Sequence, residues 1–254
     1  MTTTGDPRRV NYARRTAETQ AAFFTRHLRP GISLLDLGCG PGSITIGLAE
    51  RVHPGPTTGF DLNPALPDGA DHSAVELVAG DVTKGLPFED DSFDAVFCSA
   101  LLQHVPEPLA VLREVRRVTR PGAVVGLVDA DWDGQLLHPA NPLLEASFEV
   151  LRRLRAGTSP YVGKQLRALL TEAGFVNCES YARVVHHGTA DEVAGVGAFT
   201  AGLMSGQREL IVDQQIATGA EVDEMEQAWL TWSTDPGSFL ARFWIEAVAW
   251  APEY

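Results

Sequence analysis

Three aspartates stand at or beside the ends of short apolar runs, where the chain turns. Asp36 precedes a dense group of glycines in residues 34–42, and Asp61 and Asp81 end or follow the next two apolar runs. Alternating glycines let the backbone turn sharply and let a ligand come close to it. A helix predicted from about Ser43 would point its free N–H groups at the same place. The pattern therefore predicts a site for a nucleotide-type ligand.

The spacing of these groups bears on the kind of nucleotide. The dinucleotide fingerprint is G-x-G-x-x-G, whereas Gly38, Gly40 and Gly42 place the third glycine one residue early. Asp36 would repel a pyrophosphate but would tolerate an ammonium or sulfonium group. Asp61 can accept hydrogen bonds from ribose hydroxyls, as the equivalent acid does in enzymes that bind NAD. The pattern favours S-adenosylmethionine, and an NAD-dependent oxidoreductase is the alternative.

At these motifs the chain resembles the class I S-adenosylmethionine-dependent methyltransferases, most of all the ubiquinone/menaquinone-biosynthesis type that acts on small molecules. The similarity covers residues 10–135, and its segments are LLDLGCGPG at 34–42, GFD at 59–61, GDV at 80–82, DSFDAV at 91–96 and RPG at 120–122. It implies that Asp36 and the loop glycines face the methionine part of the cofactor, Asp61 the ribose and Asp81 the adenine. It also implies S-adenosylhomocysteine as the product. The whole predicted cofactor-binding set is Tyr12, Arg15, Asp36, Gly38, Cys39, Gly40, Asp61, Leu62, Asp81, Val82, Ser99 and Gln103.

Apolar runs alternate with helical patterns along most of the chain. Short runs typical of strands buried on both faces are followed by a sixth and a partly alternating seventh run. These predicted strands are residues 33–37, 57–61, 75–80, 95–99, 123–129, 175–187 and 237–250. The alternation predicts an α/β, Rossmann-like, doubly wound sheet that binds ligands at the carboxyl ends of its strands. The resemblance implies seven strands, the last antiparallel. We expect a single domain over 1–254, with N-terminal lid helices in 1–29 and a helical substrate-cap insertion in 189–235, between strands six and seven.

The fourth strand and the insertion supply the candidates for the acceptor side. His104 is the candidate general base, because an imidazole ordinarily titrates near neutrality, although a histidine before Val-Pro is more often a scaffold residue. Methyl transfer from a sulfonium requires alignment and desolvation of the nucleophile more than it requires a base. Residues 129–134 imitate the start of a calcium loop, but Ala140 stands where that loop requires glutamate, so no metal is predicted. The predicted substrate pocket consists of Asp131, Trp132, Phe199, Met204 and Trp244.

Composition narrows the choice of partners. The net charge of −13 argues against a nucleic-acid partner, because phosphates would be repelled. No apolar stretch reaches the roughly 18 residues that cross a membrane, and the first residues lack the pattern of a signal peptide. We therefore expect a cytoplasmic protein with no membrane partner, and a homodimer is left open. The sequence predicts methyl transfer to a small, aromatic or apolar metabolite, with a non-catalytic S-adenosylmethionine-binding protein as a second alternative.

Overall fold

A single sheet organises the chain. The computed structural model describes residues 15–70, 73 and 75–253. The strands are β1 (Leu34–Leu37), β2 (Thr57–Asp61), β3 (Val75–Ala79), β4 (Phe93–Ser99), β5 (Thr119–His138), β6 (Val176–His187) and β7 (Phe239–Trp250). They form a seven-stranded sheet in the order β3-β2-β1-β4-β5-β7-β6. β7 runs antiparallel to both β5 and β6, and the other strands run parallel to one another. The predicted Rossmann-like sheet with an antiparallel last strand is confirmed.

The strand order reverses at β1, which lies between β2 and β4. All of the β1 residues are buried, as expected for a strand that is covered by helices on both faces. The chain first extends the sheet through β2 and β3, and then crosses to β4 on the other side of β1. Open α/β sheets bind ligands at such a reversal, in the crevice beyond the carboxyl ends of the strands. The topology therefore predicts a ligand site beside the residues that follow β1 and β4.

Helices cover both faces of the sheet. The described helices are α1 (Ala17–Gln20), α2 (Ala22–Thr25), α3 (Ser43–Val52), α4 (Pro108–Val118), α5 (Pro142–Arg153), α6 (Leu166–Glu172), α7 (Ala190–Gly206), α8 (Arg208–Asp213) and α9 (Gly219–Trp232). Apolar side chains of α4 and α6 pack against one face of the sheet, and those of α1, α2 and α3 pack against the other. Gly126 of β5 allows this second contact, because a Cβ at Gly126 would overlap the ring of Phe24.

The segment between β6 and β7 is helical, as predicted, and consists of α7, α8 and α9. Thr189 and Thr218 begin α7 and α9 with capping boxes, in which the threonine hydroxyl and a glutamate side chain satisfy free backbone N–H groups. Side chains of α5, α7 and α9 enclose a separate apolar core. In that core the indole Nε1–H of Trp229 donates to Ser147 Oγ at 2.8 Å. This core attaches the insertion to α5 and to β7. None of the described helices is both long enough and apolar enough to cross a membrane.

The fifth strand differs from its prediction, because it is longer than residues 123–129. It begins at Thr119 and continues to His138 through two irregularities in pairing. The first bulge contains the predicted turn at 120–122, with Gly122 at a φ of 75°. The second contains residues 131–134, between Ala130 and the point where pairing with β7 resumes. Bulges re-aim side chains and are common next to binding sites. Here the second bulge turns residues 131 and 132 toward the region beyond the strand ends.

Candidate functional site

The glycines after β1 form an open cradle. Gly38, Gly40 and Gly42 all have left-handed backbones, with φ values of 78°, 52° and 72°, a conformation that glycine adopts without steric cost. The Gly38 N–H donates to the carbonyl of Phe60 at 2.7 Å, which holds the turn against β2. A Cβ added at Gly40 would meet no atom of the described residues within 4 Å. Space for a ligand therefore lies directly against the Gly40 backbone.

Asp36 lies beneath this cradle as a buried carboxylate. Only 2% of its surface is exposed, and its Oδ2 accepts a hydrogen bond from Thr45 Oγ1 at 2.6 Å. Burial, against the opposing effect of the Thr45 hydrogen bond and with a smaller contribution from the nearby charge of Asp61, raises the pKa of Asp36 to about 7. A carboxylate that is costly to ionise in the folded protein favours a cationic partner. Asp36 is therefore suited to an ammonium or a sulfonium group.

Asp61 links the end of β2 to the same cradle. Its Oδ2 accepts the Gly40 N–H at 3.1 Å and its Oδ1 accepts the Asn63 N–H at 2.9 Å. Each carboxylate oxygen can accept a second hydrogen bond, so both retain capacity for ligand hydroxyls. The next residue, Leu62, is an apolar side chain that stays 66% exposed. An exposed leucine beside a fixed carboxylate can cover the flat face of a base while the acid binds a sugar.

Asp81, the third predicted aspartate, also stabilises the turn that follows it. Oδ1 of Asp81 accepts hydrogen bonds from both the backbone N–H and the hydroxyl of Thr83, at 3.0 and 2.7 Å. These bonds lower the pKa of Asp81. Two other members of the predicted set face inward: Val82 packs in the core, and the thiol of Cys39 lies against Gly59 of β2. Only the backbone of these two residues is available to a ligand.

The carboxyl end of β4 carries two unusual features. Ser99 Oγ is buried and has no hydrogen-bond partner in the part of the chain that the structure describes, although buried polar atoms are rarely left unpaired. Ala100 has a left-handed φ of 57°, which costs free energy for a residue with a Cβ and is often found at functional sites. The orphaned hydroxyl and the strained turn both lie where β4 meets the cradle after β1. This strand end is therefore a candidate part of the ligand site.

A hydrogen-bond network continues from β4 to β5. Gln103 is buried, and its N–H donates to Asp129 Oδ2 at 3.2 Å, while its Oε1 accepts the indole N–H of Trp132 at 2.8 Å. Asp129 also accepts the N–H of Ala130. Burial raises the pKa of Asp129 to about 7, despite these backbone hydrogen bonds and the nearby charge of Arg15. Asp129 therefore holds the two strand ends in register, a role that the sequence did not indicate.

A cavity lies between these strand ends and α7. From the predicted set it is lined by Arg15, Gln103, His104, Asp131, Trp132, Phe199 and Trp244. His104 is an exposed residue of this lining, in the short 3₁₀ turn Leu102–His104. Asp131 is held in place, because its Oδ1 accepts the Asp133 N–H and its Oδ2 accepts the Lys164 N–H, each at 2.9 Å. The structure thus brings together candidates from five separate segments of the chain.

Met204 is the predicted pocket residue that the structure places elsewhere. It is fully buried in an apolar cluster with Leu151 and Met225, and the cavity is lined instead by Leu203 and Thr200 of the same helix. The physical reason is helical phase: α7 is apolar around most of its circumference, so its sequence does not distinguish the face toward the cavity. Tyr12, which was predicted to contact the cofactor, lies outside the described residues.

Two arginines in the cavity wall were not predicted from the sequence. Arg155 follows α5, with its guanidinium carbon 4.0 Å from the centre of the Trp132 ring. Arg242 lies in β7, paired with Gln135 of β5 on one side and Val185 of β6 on the other. A charged residue within an interior strand was a signal that could have found Arg242, because interior strands seldom carry charge without a partner or a function. No comparable signal marked Arg155.

The amino-acid sequence of this chain is similar to those of known methyltransferases. Residues 35–127 match the family described as "Methyltransferase domain". The chain is 34% identical over 170 residues to demethylmenaquinone methyltransferase of Staphylococcus aureus, covering 59% of this chain and 70% of that one. It is 36% identical over 184 residues to an uncharacterized 37.1 kDa transposon protein of Streptomyces fradiae, covering 66% of this chain and 52% of that one. The chain thus spans about half the length of the Streptomyces relative.

A solved structure shares the fold. The phosphoethanolamine N-methyltransferase 2 of Haemonchus contortus, in complex with S-adenosyl-L-methionine, superposes with a TM-score of 0.56 at 17% sequence identity. The superposition covers 91% of this chain and 52% of that one. At this level of identity the likeness concerns the fold.

Proposed function

Since this chain belongs to the class I S-adenosylmethionine-dependent methyltransferases, we propose that it transfers the methyl group of S-adenosylmethionine to a small, aromatic or apolar metabolite. The observation that carries the proposal is the cradle after β1. Gly40 has a left-handed backbone with open space beside it, and its N–H is bound to a carboxylate from the end of β2. The orphaned Ser99 hydroxyl at the adjoining strand end supports the fit of a ligand at this place.

The residues of this edge divide naturally among the parts of the cofactor. Asp36, buried and hard to ionise alone, suits the ammonium of the methionine part. Asp61 suits the ribose hydroxyls, with Leu62 covering the base. Oδ2 of Asp81, which lies 3.7 Å from the ammonium of Lys84, can also accept the adenine amino group. Arg15 and Gln103 of the cavity lining, and Ser99 at the end of β4, are assigned as further contacts. When bound, S-adenosylmethionine supplies a methyl group that is already activated on a sulfonium.

The protein's own contribution to the reaction is then to position and desolvate the acceptor. Trp132, Phe199 and Trp244 give the cavity apolar walls that hold an aromatic or apolar molecule and exclude water. Fixing the acceptor beside the donor supplies most of the rate, because an intramolecular-like geometry replaces a bimolecular encounter. We propose His104 as the group that receives a proton where the acceptor atom carries one. The staphylococcal relative is named for demethylmenaquinone, and that name supports a small-molecule acceptor.

Calorimetry tests the cofactor part of the proposal. S-adenosylhomocysteine should bind with micromolar affinity and NADH should not, and the reverse result would indicate a nicotinamide-dependent oxidoreductase. Gly40→Ala should weaken S-adenosylhomocysteine at least tenfold, because its methyl group would occupy the open cradle. Gly174→Ala is the matched control: Gly174 also has a positive φ, of 94°, and open surroundings, but it follows α6, far along the chain from the cradle. Equal loss of affinity in both variants would contradict the assigned site.

A further inference from the structure

The cavity wall carries more positive charge than the protein as a whole would suggest. The chain has a net charge of −13, yet Arg15, Arg155 and Arg242 all line this one cavity. Asp131 is the acidic member of the lining, and each of its oxygens accepts one backbone N–H. The ammonium of Lys164 lies 3.8 Å from Asp131 but has a nearer carboxylate partner at 2.6 Å, so three arginines face one aspartate in the lining. The described lining is therefore cationic in an acidic protein.

Arg242 is the arginine of this lining that most needs an anionic partner. Among the described residues, no carboxylate forms an ion pair with Arg242, and no hydrogen bond of its side chain is present. Its guanidinium lies 5.5 Å from the centre of the Phe148 ring. Burial lowers the pKa of Arg242 to about 10, and the charge of Arg155 acts in the same direction. Arg242 is still a cation at neutral pH, and it is partly buried; a cation removed even in part from water is unfavourable unless an anion meets it.

The aromatic walls define what kind of anion fits. Trp132 has the guanidinium of Arg155 at 4.0 Å, and Trp244 has that of Arg15 at 4.5 Å, each measured from the ring centre. Arginines that stack on rings present flat faces and keep their N–H groups at the edge, where a carboxylate can bind. Apolar side chains of α7 complete the enclosure. A small inorganic anion would leave these apolar surfaces unfilled.

We propose that the acceptor is an aromatic carboxylate, with its ring between the tryptophans and its carboxylate on Arg242 and Arg155. This inference names the substrate class of the proposed methyltransferase and rests on that proposed function. Arg242 acts in it as a specificity-determining residue. An uncharged analogue would leave Arg242 without an anion, and the cavity would discriminate against it.

The test compares acids with their amides, which have nearly the same shape but no charge. Binding to the full chain is measured by saturation-transfer NMR in the presence of saturating S-adenosylhomocysteine. Two pairs of compounds are titrated: indole-3-acetate with indole-3-acetamide, and 4-hydroxybenzoate with 4-hydroxybenzamide. At least one acid should bind tenfold or more tightly than its amide. Arg242→Gln should remove that preference, while the affinity for S-adenosylhomocysteine stays within twofold. Arg153→Gln is the matched control, because Arg153 is a nearby arginine of α5 outside the cavity lining.

The outcomes separate the two proposals. Three results would overturn the inference: amides that bind as well as acids, a preference that survives in Arg242→Gln, or no binding of either class. If S-adenosylhomocysteine still binds, the proposed function stands in each case. Absence of S-adenosylhomocysteine binding would overturn the proposed function by itself. The preference in the wild-type chain is informative even where Arg242→Gln fails to fold, and Arg155→Gln then provides the second variant.

Discussion

The buried carboxylate under the cradle leads to a prediction about pH. The pKa of Asp36 is about 7 in the ligand-free protein, because burial penalises its charged form. An ammonium group bound at Asp36 stabilises the charged form and lowers that pKa. Below pH 7 the protein must therefore release a proton in order to bind, and above pH 7 it need not. We expect the affinity for S-adenosylhomocysteine to fall as the pH is lowered through 7.

The size of the effect follows from proton linkage. Each pH unit below 7 should weaken binding by about tenfold, or about 1.4 kcal/mol, so binding at pH 5.5 should be roughly thirtyfold weaker than its maximum. Above pH 7 Asp36 is already ionised, and the amino-acid ammonium of the free ligand keeps its proton because its own carboxylate stabilises it. The profile should therefore have a single acid limb and a plateau above about pH 7.

Two variants assign the acid limb of that profile. Asp36→Asn should bind more weakly at pH 7.5 but show no fall between pH 7.5 and 5.5. Thr45→Val removes the hydrogen bond that lowers the pKa of Asp36, so its acid limb should move to higher pH. The assay is isothermal titration calorimetry in two buffers with different ionisation enthalpies, which also counts the protons released. An acid limb that persists in Asp36→Asn, or a wild-type affinity that is flat from pH 5.5 to 7, would refute the reasoning.

Two further predictions concern the ribose site and the packing of the N-terminal helices. Asp61→Ala should weaken S-adenosylhomocysteine binding by about 1–3 kcal/mol, the cost of leaving ligand hydroxyls unpaired; unchanged affinity in calorimetry would place the ribose elsewhere. Gly126→Ala should destabilise the fold by about 1–3 kcal/mol, because the added methyl group overlaps Phe24 and overpacks the core. Urea denaturation measures this loss, and an unchanged midpoint would show that α2 is free to shift.

The sequence predicted best what depends on neighbours along the chain. The glycine run after β1 and the aspartates at strand ends are local patterns, and the structure brings Asp36 and Asp61 to one cradle because parallel strands end at the same edge. The start of α3 at Ser43 was also predicted from adjacent residues. In these places local conformation and the tertiary fold favour the same structure.

The features that the sequence did not predict depend on contacts between residues that are distant along the chain. The length of β5 is set by its pairing with β7, which resumes after a bulge at 131–134, and no local signal foretells that register. Arg155 and Arg242 meet at one cavity although a whole helical insertion separates them in sequence. For Met204 and Leu203 the error is a single step of helical phase, on a helix whose apolar residues surround its axis.

Transfer of a labelled methyl group is the decisive test of the proposed methyltransferase activity. The chain is incubated with S-adenosylmethionine carrying a tritiated methyl group and with a panel of aromatic acids, phenols and indoles. We expect label in a small-molecule product, formed in equal amount to S-adenosylhomocysteine and dependent on Gly40. Binding of S-adenosylhomocysteine with no labelled product across the whole panel would contradict methyl transfer, and would identify a protein that binds the cofactor without catalysis.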